Sequence, residues 1–275
     1  MSKVAVITLA HGRHDHLERQ AEGLSRSTRN DFIYIVVAID DPELSQWKPA
    51  TLTPDVVSIP RREGSLPLAS ARNRGAARAL SRGAEILIFL DVDCIPSRQL
   101  VEAYRDAASV PSLKDSLLCG PVAYLPPPPV HGYDLDSLSH FAPHPARPSP
   151  MPGEVEIANE PDLFWSLSFA LTAHTWRSVG GFHEEYVGYG AEDTDFAYIA
   201  QGKQISMTWI GSARAYHQHH ETSAPPSQHL DDILRNGEVF QKRWGWWPMR
   251  GWLDEFERLG LIERCGSGYA QRTIR

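Results

Sequence analysis

The sequence predicts an α/β fold: a mixed, mainly parallel sheet flanked by helices, closed by a helical C-terminal tail. Three observations carry this. Up to about residue 110, short β-branched apolar runs alternate with longer stretches of helical spacing, the pattern of right-handed βαβ units. Acids stand at the ends of two of those runs, where open α/β sheets bind ligands. Helical spacing returns over residues 228–260, after a Pro- and His-rich middle.

The elements follow in order. VAVITLA (4–10) is a buried strand followed by a polar turn. HDHLERQAEGLSRS (14–27) sets Leu17, Ala21 and Leu24 on one helical face. FIYIVVAID (32–40) is a second strand, ending on Asp40 and Asp41, and DVVSI (55–59) is a third. LPLASARNRGAARALSRG (66–83) is an Ala- and Arg-rich helix closed by Gly83. EILIFLD (85–91) is the fourth strand. SRQLVEAYRDAA (97–108) is a helix with Ser97 as its N-cap.

The pattern then changes. SLLCGPVAYL (116–125) reads as one strand, and residues 126–153 as a long loop of the flap type. WSLSFALTAHTWRSVGGF (165–182) is a strand running into a short helix that stops at Gly180-Gly181. EDTDFAYIAQGK (192–203) is a helix with acids in its first turn, as the helix dipole prefers. QISMTWIGSARAYHQHH (204–220) reads as one strand ending in histidines. The tail carries Trp244, Trp246, Trp247 and Trp252, which are expected to pack its helices onto the core; the alternative is stacking on sugar faces or anchoring at a membrane interface. The expected division is 1–227 as the main domain, in halves 1–115 and 116–227, with 228–275 packed on it.

Composition narrows the function. The 275 residues, 42% hydrophobic, suffice for a sizeable core. A net charge of −7 argues against a nucleic-acid partner, which calls for a basic stripe. Cys94, Cys119 and Cys265 are too scattered for a disulfide framework or zinc site, so reduced thiols and a cytoplasmic location are expected. The N-terminal apolar run is too short for a signal segment, and no run is long enough to span a membrane. Peripheral contact with a membrane surface is left open, as is the oligomeric state.

Four clusters carry chemistry. Asp91 and Asp93 are spaced so that an extended strand end points both the same way, and paired carboxylates attract Mg²⁺ or Mn²⁺. The alternative is a solvated strand end. In GYGAEDTDF (188–196), glycines allow close approach to a ligand, and Glu192 or Asp193 can serve as general base; ordinary first-turn capping is the alternative. In AYHQHHE (215–221), His217 and His219 alternate onto one side and are candidate metal ligands, with His220 on the other. In LASARNRG (68–75), Arg72 and Arg74 offer forks that match phosphate oxygens. Taken in order, these clusters describe displacement of a nucleoside diphosphate by a hydroxyl.

On these residues the chain resembles the GT-A-fold, inverting glycosyltransferases of the family 2 type, over residues 3 to about 220. VAVITLAHGRHDHL is similar to their first strand and turn, VVAIDD to their second strand, LASARNRG to their S-x-A-R-N-x-G helix, and DVDCIP to their D-x-D. The segment through GGFHEEYVGYGAEDTDF is similar to the GGF…GWGGED-D stretch of β-1,4-galactosyltransferases, with Tyr189 in place of Trp and Ala191 in place of Gly.

The resemblance implies roles. Residues 1–115 become a nucleotide-binding half and 116–227 an acceptor-binding half. Thr8, Ala10 and Arg13 line the base pocket, with Asp40 or Asp41 on the base or ribose. Arg72, Asp91 and Val92 position the nucleotide. Asp93 with His217, His219 or both holds Mn²⁺ (or Mg²⁺). Asp193 is the catalytic base, and Glu192 binds a sugar, as do Tyr189, Gly190 and Trp165. The implied donor is a nucleotide-sugar, best a UDP-sugar, and the implied acceptor a saccharide or glycolipid. A sugar-phosphate nucleotidyltransferase would need a G-x-G-T-R turn, which LAHGRHDHL lacks. A metal-dependent hydrolase and a silent sugar-nucleotide-binding module are the remaining rivals.

Overall fold

The computed structural model describes residues 2–272. The strands are β1 (Val4–Ala10), β2 (Phe32–Ile39), β3 (Asp55–Ile59), β4 (Ile86–Leu90), β5 (Cys94–Pro96), β6 (Leu117–Cys119), β7 (Val122–Tyr124), β8 (Val155–Ile157), β9 (Ser168–Thr172), β10 (Met207–Ile210), β11 (Ala215–His217), β12 (Ile262–Cys265) and β13 (Gly268–Gln271). The helices are α1 (His14–Ser25), α2 (Leu68–Ser81), α3 (Leu100–Ser109), α4 (Ala173–Val179), α5 (Glu192–Gly202), α6 (Leu230–Trp244) and α7 (Arg250–Arg258).

The main sheet is mixed, with strand order β3-β2-β1-β4-β9-β6-β10-β8. The half from β3 to β4 is parallel, and β9 runs antiparallel between β4 and β6. Helix α2 packs on one face with Phe89, Phe169 and Phe196, while α1 and α3 cover the other with Leu17, Leu24 and Tyr104. Gly75 lets α2 lie against β1, since a Cβ there would stand 2.4 Å from the Ile7 side chain.

Two expected strands are each broken in two. The run 116–125 becomes β6 and β7, split at Gly120-Pro121, and the run 204–220 becomes β10 and β11, split at Gly211-Ser212. The breaks are side by side: β10 runs parallel to β6 in the main sheet, and β11 parallel to β7 in a three-stranded sheet with β5. Gly120 touches the Ala213 carbonyl, where a Cβ would fall at 2.1 Å, and Pro121 brings no N–H to continue the ladder. Both chains therefore switch sheets together.

Smaller departures have local causes. Helix α3 starts at Leu100 after Gln99, and the Ser97 Oγ is buried without a hydrogen-bond partner, so Ser97 does not cap it. Gly83 does take the left-handed conformation just past α2, as a helix stop requires. The C-terminal tail ends in a hairpin of β12 and β13 that helical spacing did not predict. Its apolar residues Ile233, Trp247, Leu253 and Phe256 form a cluster of their own, while Phe240 of α6 joins the main core. No helix among the described residues is long and apolar enough to cross a membrane.

Candidate active site

The ends of β1, β4 and β11 and the start of α5 build one site. Strand β4 stops at Leu90, and the chain then turns, with the Cys94 N–H donating to the Asp91 carbonyl at 2.8 Å. The D-x-D is therefore a turn rather than an extended strand end, and its two carboxylates face different partners.

Asp93 faces the histidines. Strand β5 begins at Cys94 and pairs with β11 so that Cys94 stands opposite His217. The Asp93 Oδ1 lies 3.4 Å from His217 Nε2, and Oδ2 lies 3.5 Å from His220 Nε2. Ligand atoms of Asp93, His217 and His220 all fall within 4.8 Å of one another. His219 is not in this group. After His217 the strand ends, the Gln218 side chain turns inward to the His16 carbonyl at 3.0 Å, and His219 is exposed with its N–H donating to the Tyr133 hydroxyl. One carboxylate and two imidazoles, largely shielded from water, suit a divalent ion such as Mn²⁺. Tyr124 stacks on His217 with ring centroids 4.6 Å apart, fixing the ring. Burial would raise the Asp93 pKa, but His220, His217 and Arg13 outweigh it and hold the carboxyl down at about 2.

Asp91 faces α2. The buried Arg72 lies within 3.5 Å of Asp91, donates to Glu192 Oε1 at 3.0 Å and to Ser166 Oγ at 2.9 Å. Burial alone would depress the guanidinium; Asp91, Glu192 and Asp193 outweigh it and raise its pKa. Burial, with the neighbouring acids, still pushes Asp91 up to about 7. The rest of the LASARNRG helix has other uses. Ser70 Oγ donates to Glu184, and the Asn73 amide exchanges hydrogen bonds with the Phe182 backbone, so both pin the GGF loop. Arg74 points into solvent.

The GYGAEDTDF stretch is held from α6. Asp232 accepts from the Tyr189 N–H, and a Cβ on Gly188 would collide with it at 2.2 Å. Asn236 donates to the Gly190 carbonyl at 2.9 Å. Gly190 and Ala191 both have positive φ, which turns the chain sharply into α5. Glu192 is buried, and its Oε2 has no hydrogen-bond partner. Burial, with Glu192 beside it, pushes Asp193 up to about 7. The third acid, Asp195, is fully buried and accepts from Tyr186, Arg243 and Trp244, tying α5 to α6.

Asp91, Arg72, Glu192 and Asp193 line a cavity of about 870 Å³ together with Trp165, Tyr189 and Gly190. Tyr124, Asp162, Tyr198, Trp246 and Trp252 complete its walls. Sequence reasoning did not single out Tyr124, Asp162 and Tyr198, and expected Trp246 and Trp252 first as core packing, with sugar stacking as the alternative. Trp246 and Trp252 are half-buried, so the tail is a wall of the site as well as core packing. The 126–153 loop also reaches the site: His144 sits edge-on to Tyr124 and Trp165, and Arg147 lies 4.9 Å over the Trp165 ring.

The expected base pocket divides. Thr8 and Ala10 are sealed inside β1, at 0% and 1% exposure, so neither can touch a ligand. Arg13 pairs with Asp93 at 3.0 Å from a left-handed backbone. Val92 is half-buried beside them. Asp41 is buried and accepts from the Gly12 N–H and from His14, whereas Asp40 is exposed and paired with Arg61. His11 and Arg61, in contact with each other there, were not singled out in the sequence. Arg13, His14, His16, Arg19, Tyr133 and His219 line a second groove of about 510 Å³.

Comparisons with known proteins bear on the fold. Residues 154–221 match a family model described as the N-terminal domain of galactosyltransferase. Validoxylamine A glucosyltransferase of Streptomyces hygroscopicus subsp. limoneus is 26% identical over 226 residues, covering 74% of this chain and 49% of that protein. The same-named protein of Streptomyces hygroscopicus subsp. jinggangensis (strain 5008) is 26% identical, with 53% of it covered. The chain thus spans about half the length of these curated relatives. Among solved structures, GalNAc-T7 with UDP, GalNAc and Mn²⁺ superposes with a TM-score of 0.61 at 18% identity, over 93% of this chain and 50% of that one. S. aureus TarS 1-349 in complex with UDP-GlcNAc gives 0.59 at 13% identity, over 87% of this chain and 66% of that one. With the sheet order described above, these likenesses give the chain the GT-A glycosyltransferase fold.

Proposed function

We propose that this protein is a metal-dependent, inverting glycosyltransferase that moves a hexosyl unit from a nucleotide-sugar, best a UDP-sugar, to a hydroxyl of a saccharide or glycolipid. One observation carries the reading: Arg72 joins the D-x-D turn to the acidic start of α5 within one aromatic-walled cavity. Neighbours of the same fold solved with UDP, Mn²⁺ and UDP-GlcNAc support the donor class, and relatives named glucosyltransferases support the reaction.

Asp93, His217 and His220 would hold the metal, which when bound supplies Lewis-acid stabilisation of a leaving diphosphate. On this reading, residues 1–115 bind the nucleotide, with Asp41 and the Gly12 turn at its base. Arg13 leaves Asp93 and offers its guanidinium to the diphosphate. Residues 116–227 and the tail bind the acceptor. Trp165 and Trp252 give flat faces for sugar rings. Asp193 takes the acceptor proton, and Glu192, held by Arg72, forms part of the sugar-binding wall. The hydroxyl attacks the anomeric carbon opposite the diphosphate, and configuration inverts in a single displacement. A base held at about 7 is half deprotonated near neutral pH, close to the optimum for proton transfer.

The test is turnover. UDP release from a panel of UDP-sugars is measured with and without saccharide acceptors, and the product anomer is read by NMR. Acceptor-stimulated release with an inverted anomer is expected. Release that no acceptor stimulates would instead mark a hydrolase.

A further inference from the structure

We propose that Arg147, on the loop before β8, is a positioning residue for the Trp165 ring. By fixing the plane of that ring it sets the affinity for an acceptor sugar, a role that rests on the transferase reading above. Trp165 lines the cavity, and Arg147 does not. The guanidinium lies over the Trp165 ring, 4.9 Å from its centroid, and 5.2 Å from the centroid of the Trp209 ring. Trp209 belongs to β10 and is 0% exposed. Arg147 therefore ties a ring of the site to a ring fixed in the main sheet.

The charge is costly where it stands. Arg147 is buried, its Nε and Nη2 have no hydrogen-bond partner, and no carboxylate pairs with it among the described residues. A buried, unpaired cation is unfavourable for stability. What it meets instead is two π faces, whose attraction for a cation grows as water is excluded. The turn that carries it is anchored on β7. The His144 N–H donates to the Val122 carbonyl at 2.9 Å, and the Arg147 N–H donates to the His144 carbonyl at 3.2 Å. The His144 ring meets Trp165 edge-on, with centroids 5.1 Å apart. Trp165 makes its own hydrogen bond from the indole edge, Nε1 to the Asp162 carbonyl at 3.2 Å. The next residue, Ser166, is pinned by Arg72 at 2.9 Å. The backbone is thus held, while a single bond at one edge leaves the ring free to pivot. Arg147 and His144 remove that freedom. A sugar that stacks on the indole needs the ring flat against its C–H face, so a pivoting ring loses contact area.

The test uses the full chain with saturating UDP-sugar and Mn²⁺, and the saccharide acceptor that most stimulates UDP release. Arg147→Met should raise the acceptor KM about ten-fold, the scale of one desolvated cation–π contact, with kcat and UDP affinity near wild type. Trp165→Ala should raise KM at least as much. The double variant should go no further, because Arg147 acts through Trp165. A second readout needs no turnover. In protein labelled with 5-fluorotryptophan, the Trp165 resonance is identified by its loss in Trp165→Phe. It should be single in wild type and should broaden or split in Arg147→Met. Arg147→Lys keeps the charge but not the planar fork, and it should disturb the same resonance without removing a charge from the core. An unchanged acceptor KM, losses that multiply in the double variant, or a Trp165 resonance that stays single and sharp in both Arg147 variants overturns the proposal. The two readings fail separately, because absence of UDP release from any UDP-sugar would sink the transferase and leave the fluorine comparison standing.

Discussion

Arg72 donates to Glu192 Oε1 at 3.0 Å across 120 residues of sequence, and both side chains are buried. This contact joins the helix after β3 to the turn that opens α5, so one buried ion pair ties residues 1–115 to residues 116–227. Removing Arg72 leaves Glu192 and Asp91 facing each other without a cation. Arg72→Met should cost about 3–5 kcal/mol, the scale for breaking a buried pair. Urea unfolding measures it, and a loss below about 1 kcal/mol would mean that the pair is wetter than its burial implies.

On the proposed mechanism, Asp193 sets the acid limb of the rate. With its carboxyl at about 7, transfer should rise with pH through about 7 and level above it. Asp193→Asn should lower transfer by about 10²–10⁴-fold, the range for a general base, with nucleotide affinity near wild type. Stability gives an independent check of sign. A carboxyl whose folded value lies above its unfolded value binds its proton more tightly when folded, so it stabilises at low pH, and that contribution is lost as pH rises from about 4 to about 7. Asp193→Asn should therefore be more stable than wild type at pH above about 7, relative to the difference at acidic pH. A variant that loses nucleotide binding together with transfer would make Asp193 a fold or binding residue.

The histidines can be separated. His220→Ala should weaken Mn²⁺ binding more than ten-fold, since even changes in the groups behind metal ligands cost about 10–100-fold, while His219→Ala stays near wild type. Mn²⁺ titration followed by electron paramagnetic resonance distinguishes them, and the reverse order would return the site to the alternation expected of an extended chain.

Arg147 is the odd charge of the core. It is buried, its Nε and Nη2 have no partner, and its guanidinium lies 4.9 and 5.2 Å over the Trp165 and Trp209 rings. Burial pushes its pKa down. Replacing a buried cation without a counter-ion by an apolar chain of similar length is neutral or stabilising as a rule. Arg147→Met should leave the melting temperature unchanged or higher. A clear fall would mean that the two ring contacts outweigh the desolvation of the charge.

The first 115 residues were largely legible, because β1, β2, β4 and their helices have clean periods and local stop signals such as Gly83. The breaks at Gly120-Pro121 and Gly211-Ser212 were not, since each makes sense only beside the other in space. Asp193, Glu192 and Arg72 were picked out by composition and spacing, and the fold brings them together. His220 was missed because strand alternation was carried past His217, where the strand stops. Thr8 and Ala10 are sealed inside β1, because a motif's neighbourhood says nothing of which way a buried strand faces. Tyr124, Asp162 and Tyr198 carry no local signal and line the cavity only through tertiary packing, whereas the Trp-rich tail signalled sugar stacking as an alternative to core packing.

The most direct measurement is calorimetric titration of UDP into wild type and Asp93→Ala, each with and without Mn²⁺. The account predicts binding to wild type that is strengthened by Mn²⁺, and loss of that strengthening in Asp93→Ala. UDP binding that ignores Mn²⁺, or an Mn²⁺ effect that survives in Asp93→Ala, would contradict it.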